Sequence, residues 1–436
     1  MSGTTPRRAP TPAPVTFTGA PAPLVMARLL GPNARAAGRV LLERQPGQRL
    51  RRLIRVASDS SQQSRRPSRP RIRSLWLDSA GRLAWRRMAA PSAPGPNGAV
   101  VEPLTMATCD MDRPLALGAT AFPRPLHLGH ECIARVAAVG DQVATVQPGD
   151  VVAVSFQISC GSCVTCRVGL SGSCRSVPPL SMYGFGAAAG AWGGTVADQV
   201  AVPYADAMLL PLPPGVDLVA AASVGDTLSD AYRHVVPHLS RLREHPAGST
   251  VIILGALHPR SLYSPSVVFY AAQIVAALAP EAACMVADQR PWVRAEGERV
   301  GVEVVPLRAL CRARAALVID ASFDRRGLAT ALRATAPDGL CSCAGTLHRS
   351  VRVPGALMYG RNVTLALSRS HIRAVMPHVL QLLAAGTIRP ERVTNVVAGF
   401  ADAPEVLRAH LRTATTKTVL VRHGGPGSSA LASVAE

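Results

Sequence analysis

CGSCVTCRVGLSGSC, residues 160–174, sets the frame for the rest of the chain. It places cysteines at Cys160, Cys163, Cys166 and Cys174, with two residues between each of the first three and seven before the fourth. Four soft thiolates suit a tetrahedral zinc ion, and two-residue gaps let a chain curl around one ion. Gly161 and Ser162 keep that curl permissive. Four sulfurs leave no coordination position open, so the zinc expected here is structural. The competing reading is a set of free thiols or two disulfides.

On either side of this lobe the pattern is β. GHECIARVAAVG (129–140) and PGDVVAVSF (148–156) are valine-rich runs divided by turn residues, and ADQVAVPY (197–204) follows a glycine-rich stretch at 183–194. SLWLDSAGRLAWRRM (74–88) alternates around Ala80-Gly81 as a hairpin would, and AVVEPLTMATCD (99–110) reads as a strand leading into a loop at Cys109. Short strands with frequent turns predict a small β-barrel. From about Asp226 the period changes. TLSDAYRHVVPHL (227–239) and VVFYAAQIVAALA (267–279) have helical spacing, while VIILG (251–255), CMVAD (284–288), ALVIDAS (316–322) and GLCSCAGT (339–346) are continuous apolar strands. Strands alternating with helices predict a parallel, doubly wound sheet. A strand TLALS (364–368), helices over 371–385 and 402–413 and a strand TKTVLV (416–421) close the fold, and residues 423–436 read as a flexible tail.

Composition narrows the class. The 436 residues are 48% hydrophobic and 17% charged, with 4% aromatics, so a large aliphatic core is expected. No run of about eighteen apolar residues predicts a membrane span. Ten cysteines without a secreted pairing pattern fit a reducing cytoplasm. The net charge is +20, and residues 1–87 carry eighteen arginines against Glu43, Asp59 and Asp78, which is +15. Residues 1–71, rich in proline, arginine and serine, are expected to be a disordered basic extension. Its bias toward arginine over lysine reads as genome composition, and nucleic-acid binding is not expected.

A second constellation carries the chemistry. A catalytic zinc needs three protein ligands and one open position. Cys109 and His130, with Glu131 beside them, have the right donor chemistry, and Asp226 is the candidate for a third or fourth ligand where the chain enters its second half. Zinc there would polarise an alcohol or carbonyl oxygen. A nicotinamide cofactor on the parallel sheet would exchange hydride with the neighbouring carbon. VIILG, its loop and the helix near 267–279 occupy the place of the pyrophosphate site. Asp288, ending the next strand, is the candidate for the ribose hydroxyls and favours NAD over NADP. The fingerprint G-x-G-x-x-G is missing: residues 255–268 read GALHPRSLYSPSVV, with Gly255 the only glycine and Val268 where another is expected. Arg260, Ser261 or Ser264 are candidates for phosphate contact instead.

Together these residues resemble the zinc-containing alcohol dehydrogenases of the medium-chain dehydrogenase/reductase superfamily. The resemblance covers roughly residues 73–422 and rests on Cys109, Gly129-His130-Glu131, the Pro-Gly-Asp turn at 148–150, the four-cysteine lobe and the Asp226 segment. It implies a GroES-like catalytic domain (72–226, completed by 364–422) with a Rossmann domain (227–363) inserted. It also implies a catalytic zinc on Cys109, His130 and Asp226, a structural zinc on the lobe, and a homodimer or homotetramer acting on a small alcohol or carbonyl compound. Glu131 matches a glutamate beside the metal that ligates it in some states. Asp112 matches the aspartate of a C-x-x-D pattern. Met111 stands where a hydroxyl residue often relays the proton, so the relay is expected to run through water or Asp110. The alternative is a catalytically silent, zinc-stabilised relative with weak nicotinamide binding, acting as a binding or regulatory protein.

Overall fold

The computed structural model describes residues 69–345 and 351–422. The expected basic extension, apart from its last three residues, and the tail at 423–436 lie outside the described residues. Sixteen strands and six helices of nine or more residues are found among those described. The strands are β1 (Arg71–Leu77), β2 (Leu83–Ala89), β3 (Ala99–Ala107), β4 (Leu126–His127), β5 (Glu131–Val139), β6 (Val151–Val154), β7 (Val200–Val202), β8 (Leu209–Pro211), β9 (Thr250–Leu254), β10 (Ala283–Ala287), β11 (Val304–Val305), β12 (Ala315–Asp320), β13 (Thr335–Cys343), β14 (Thr364–Leu367), β15 (Val396–Gly399) and β16 (Thr418–Val421). The longer helices are α1 (Thr227–Val235), α2 (Ser266–Leu278), α3 (Pro291–Val300), α4 (Arg325–Ala334), α5 (Ile372–Ala384) and α6 (Ala403–Arg412).

The hairpin expected at 74–88 is β1–β2, antiparallel from Arg71↔Ala89 to Leu77↔Leu83. Asp78 forms its turn by accepting the N–H groups of Ala80 and Arg82, and Gly81 takes the positive φ of 86° that the reversal needs. A larger sheet runs β15-β16-β3-β5-β6-β8, with β7 also on β3. β16, from the far end of the chain, pairs antiparallel with β3, so both chain ends build this GroES-like unit.

The second sheet runs β11-β10-β9-β12-β13-β14, parallel throughout. Counted from β9, the order is 3-2-1-4-5-6, the doubly wound dinucleotide-binding topology, whose crevice opens where the order reverses, between β9 and β12. Strands covered on both faces read as unbroken apolar runs. Accordingly, Val251 to Leu254 are all buried, each contributing about 1.5–3 kcal/mol of burial.

One boundary moves. The return to the first unit was expected from residue 364, but Thr364–Leu367 is β14, the sixth strand of the parallel sheet. The crossing falls just after it, at residues 368–371. There the four-cysteine lobe clamps the chain. Gly172 N–H donates to His371 Nδ1 (3.1 Å) and Arg369 donates to Gly172 O (2.9 Å). The Gln157 amide spans the same joint, donating to Ser370 O (2.9 Å) and accepting from Ile372 N–H (3.3 Å).

Candidate active site

β3 delivers Cys109 just past its end, β5 begins at Glu131 with His130 before it, and α1 begins just after Asp226. Aspartate at a helix start usually accepts an N–H of the first turn. Asp226 does not, and its carboxylate turns toward Cys109 and His130. Asp226 Oδ2 lies 3.4 Å from Cys109 Sγ and 3.3 Å from His130 Nε2. The donor atoms of Cys109, His130, Glu131 and Asp226 all lie within 4.8 Å of one another. Asp112 shapes the loop by accepting the Cys109 N–H (2.8 Å).

This set fits a divalent cation. Neither ring nitrogen of buried His130 makes a hydrogen bond, an arrangement that is costly unless a metal takes one of them. Burial pushes the Cys109 thiol well up, and the Asp226, Glu131 and Asp112 carboxylates push it further. A bound cation inverts that logic and takes the thiolate. Glu131 sits at the rim of the set. Its oxygens accept from Thr227 Oγ1 (2.8 Å) and from Lys417 Nζ (2.9 Å), and Lys417 is fully buried. Burial lowers the proton affinity of Lys417, but the Glu131 carboxylate outweighs it and holds the ammonium charged, above the ordinary lysine range.

The lobe holds a second cluster, Cys160, Cys163, Cys166 and Cys174. Cys163 and Cys174 sulfurs are 4.0 Å apart, close to the edge of a zinc–thiolate tetrahedron, about 3.8 Å. Backbone N–H groups aim at the sulfurs: Cys163 N at Cys160 Sγ (3.3 Å), Cys160 N at Cys174 Sγ (3.4 Å) and Arg175 N at Cys163 Sγ (3.5 Å). Burial raises these thiols, yet hydroxyl and backbone donors bring Cys163 down to about 5 and Cys160 to about 7. All ten cysteines are unbridged, so the disulfide reading falls away.

A cavity of about 460 Å³ opens on the first cluster. Phe122, Phe156, Leu180, Met182 and Phe185 make it apolar, while Gln157, Asp230 and Arg233 give it polar points. Of the aromatic residues near 183–192, Phe185 lines it. Tyr183 is instead fully buried, with its hydroxyl on Ala201 O (2.8 Å).

The cavity continues to Val267 at the start of α2 and to Phe323 and Gly345 beyond β12 and β13, the side of the crevice where the doubly wound topology usually seats a nucleotide. Here the residues do not fit a dinucleotide in its usual seat. Asp110 holds the α2 N-terminus: its carboxylate accepts from Ser266 N (3.0 Å), Ser266 Oγ and Val267 N (3.1 Å). Asp288, expected to bind ribose, is 3% exposed and spends both oxygens on Arg290 and on Ala256 N (2.9 Å). Gly255 is required because a Cβ would collide with that carboxylate. Ser261 lies in the loop with its N–H on His258 O, and the N–H groups at the helix start belong to Ser266 and Val267.

Comparison with known proteins agrees with the geometry. The Alcohol dehydrogenase GroES-like domain matches residues 95–214. A probable zinc-binding alcohol dehydrogenase of Mycobacterium tuberculosis is 29% identical over 326 residues, covering 73% of this chain and 79% of that protein. A glutathione-independent formaldehyde dehydrogenase of Pseudomonas aeruginosa is 32% identical over 217 residues, 48% of this chain and 51% of that one. Among solved structures, an alcohol dehydrogenase from Thermus sp. ATN1 superposes with a TM-score of 0.70 at 26% identity, covering 80% of this chain and all of that one. The fold is therefore that of the alcohol dehydrogenases, a GroES-like unit joined to a Rossmann-like one. Over most of its length the chain is similar to zinc-binding alcohol dehydrogenases.

Thr227 and Lys417 were not anticipated from the sequence. The signal available for Lys417 was its being the only lysine in an arginine-rich chain.

Proposed function

We propose that the protein is a zinc-dependent oxidoreductase that moves a hydride between a small alcohol and its aldehyde or ketone, with a nicotinamide nucleotide as the redox partner. The observation that supports this most is the buried Cys109–His130–Asp226 set opening on an apolar cavity. Zinc bound there would act as the Lewis acid on the substrate oxygen. Cys109, His130 and Asp226 would hold it, and Lys417 and Thr227 hold Glu131 beside it. The aromatic and thioether wall would exclude water and take the carbon chain. Arg233 would orient a polar substituent. Met111 cannot carry a proton, and the Asp110 carboxylate faces α2, so water inside the cavity is the proposed relay. The four-cysteine lobe would hold a structural zinc. The open edge of β14, with Leu367 47% exposed, supports a dimer through this strand. Among the described residues no helix is long and apolar enough to cross a membrane, and unbridged thiols favour the cytoplasm. The alternative of a silent binding protein has no counterpart among the relatives named above.

Metal content and cobalt substitution test this reading. Wild type should carry two metal equivalents, and small alcohols or aldehydes should shift the visible bands of the cobalt form. Cys109→Ser should lose one equivalent together with the shift. Because a Lewis acid is worth several kcal/mol, turnover should fall roughly a thousandfold. Unchanged metal content in Cys109→Ser would remove the basis of the proposal. The expected preference for NAD rested on Asp288, whose carboxylate is committed to Arg290 and Ala256 N, so NAD and NADP are compared in the same turnover assay.

A further inference from the structure

Beyond the metal centre, the crevice of the parallel sheet already contains an anion of the protein's own. A helix N-terminus offers unpaired N–H groups and a partial positive charge, which is why a diphosphate binds at this point of the doubly wound fold. α2 is thirteen residues long and its first turn faces the cavity. The first two N–H groups of α2 and the Ser266 hydroxyl are bound by Asp110, which lies 2% exposed. Asp110 reaches α2 from the other unit, directly after metal-ligand candidate Cys109, and its main-chain carbonyl also accepts Ser264 N–H (3.4 Å).

The loop between β9 and α2 closes over the same place. Tyr263 stacks flat on Phe323, ring centroids 4.3 Å apart and planes 4° from parallel. Phe323 follows β12 with a positive φ of 55°. The Tyr263 carbonyl accepts from Arg290, whose guanidinium pairs with Asp288 at 2.7 Å, both side chains almost wholly buried. Residues 255–265 are thus fastened to the strand on each side of β9. Val268, where the fingerprint would have a glycine, is 1% exposed.

We propose that Asp110 occupies the diphosphate seat as an internal anion, so that a dinucleotide binds only by displacing it and lifting the Tyr263 loop. Two phosphates brought to the α2 N-terminus with Asp110 in place would meet a buried negative charge instead of free donors. This sets nucleotide affinity without touching the nicotinamide or the metal ligands. It rests on reading this crevice as the nucleotide side of the site.

ADP-ribose, which carries the diphosphate and no nicotinamide, is the probe. It is titrated calorimetrically into zinc-loaded wild type, Asp110→Asn and Asp110→Ser, with metal content measured on each sample. Both variants keep a polar cap and remove the charge, so both should bind at least about tenfold more tightly than wild type. A purely structural role for Asp110 would cost stability and raise no affinity. Equal affinity in all three proteins overturns the assignment. So does an absence of binding in all three, which would place the barrier in the loop. Neither result touches the zinc-centred reading, which stands or falls on the cobalt spectrum. Should one variant fail to fold, the other carries the comparison. In wild type itself, saturating ADP-ribose should speed hydrogen exchange over 257–265, and unchanged exchange with ligand bound would also overturn the proposal.

Discussion

Lys417 is the one lysine in a chain whose other side-chain cations are arginine and histidine. It is buried between Glu131, Thr227 and the Thr108 carbonyl, 5.7 Å from the Tyr270 ring centre. Arginine would bring a wide fork where a single compact ammonium fits. Replacing it by methionine strands the Glu131 carboxylate without its cation. Lys417→Met should therefore destabilise by about 3–5 kcal/mol, and Glu131→Gln in the same chain should return much of that. Urea unfolding of the two variants checks this, and additive losses would show that the ion pair is not the cause. That Cys109, His130, Glu131 and Asp226 are donors suited to one ion was legible in the sequence because zinc accepts so few donor types, and the structure brings the four together. Lys417 was not, because what it does depends on a contact 286 residues away along the chain.

At the level of elements, strand and helix periods read correctly because burial on one or two faces writes them into the sequence. β14 was misassigned for the same reason. Its burial is partial at a sheet edge, so TLAL gives no sign of which sheet it joins. The β1–β2 hairpin poses a related question, since what ties it down lies elsewhere in the chain. Asp198 answers it by pairing with Arg73 on β1 (3.1 Å) and with Arg422 beyond β16 (3.2 Å). Partial burial would raise the Asp198 carboxyl, but bonds from Arg73 and Arg422 outweigh it and hold the group below the ordinary range. A depressed folded-state value means stability present above the unfolded value near pH 4, and lost as pH falls through the folded one. Asp198→Asn should thus be less stable than wild type at pH 7 by under about 1 kcal/mol after solvent screening, with the gap closing in acid. Thermal melts from pH 7 to 3 measure it, and a gap that widens on acidification would refute the assignment.

For the molecule as a whole, the lobe at 160–174 is more than a local staple. Through Gly172, Arg369 and His371 it fixes the point where the chain leaves the parallel sheet, and Ser368–Ser370 at that point line the cavity. Cys163→Ser should release one metal equivalent and lower the melting temperature by roughly 4 °C or more. It should also weaken substrate binding at a centre it does not touch. A variant that loses metal and stability with the cavity's affinity intact would show the clamp to be slack. The absence of a glycine fingerprint was visible in the sequence. What replaced it was not, because Asp110 and Ser266 meet only once both units have packed.

The strap across the crevice also has an optical consequence. The chain has four tryptophans, and three of them (Trp76, Trp85 and Trp192) belong to the GroES-like half. The fourth, Trp292, starts α3 and lies beneath the Arg290 guanidinium, 5.1 Å from it, the same group that holds the Tyr263 carbonyl. Lifting the loop takes the Tyr263 carbonyl from that guanidinium, which Asp288 still holds, and alters the electric field on a single indole. With Trp76, Trp85 and Trp192 replaced by phenylalanine, the emission of Trp292 should report whether the crevice is shut, without any label.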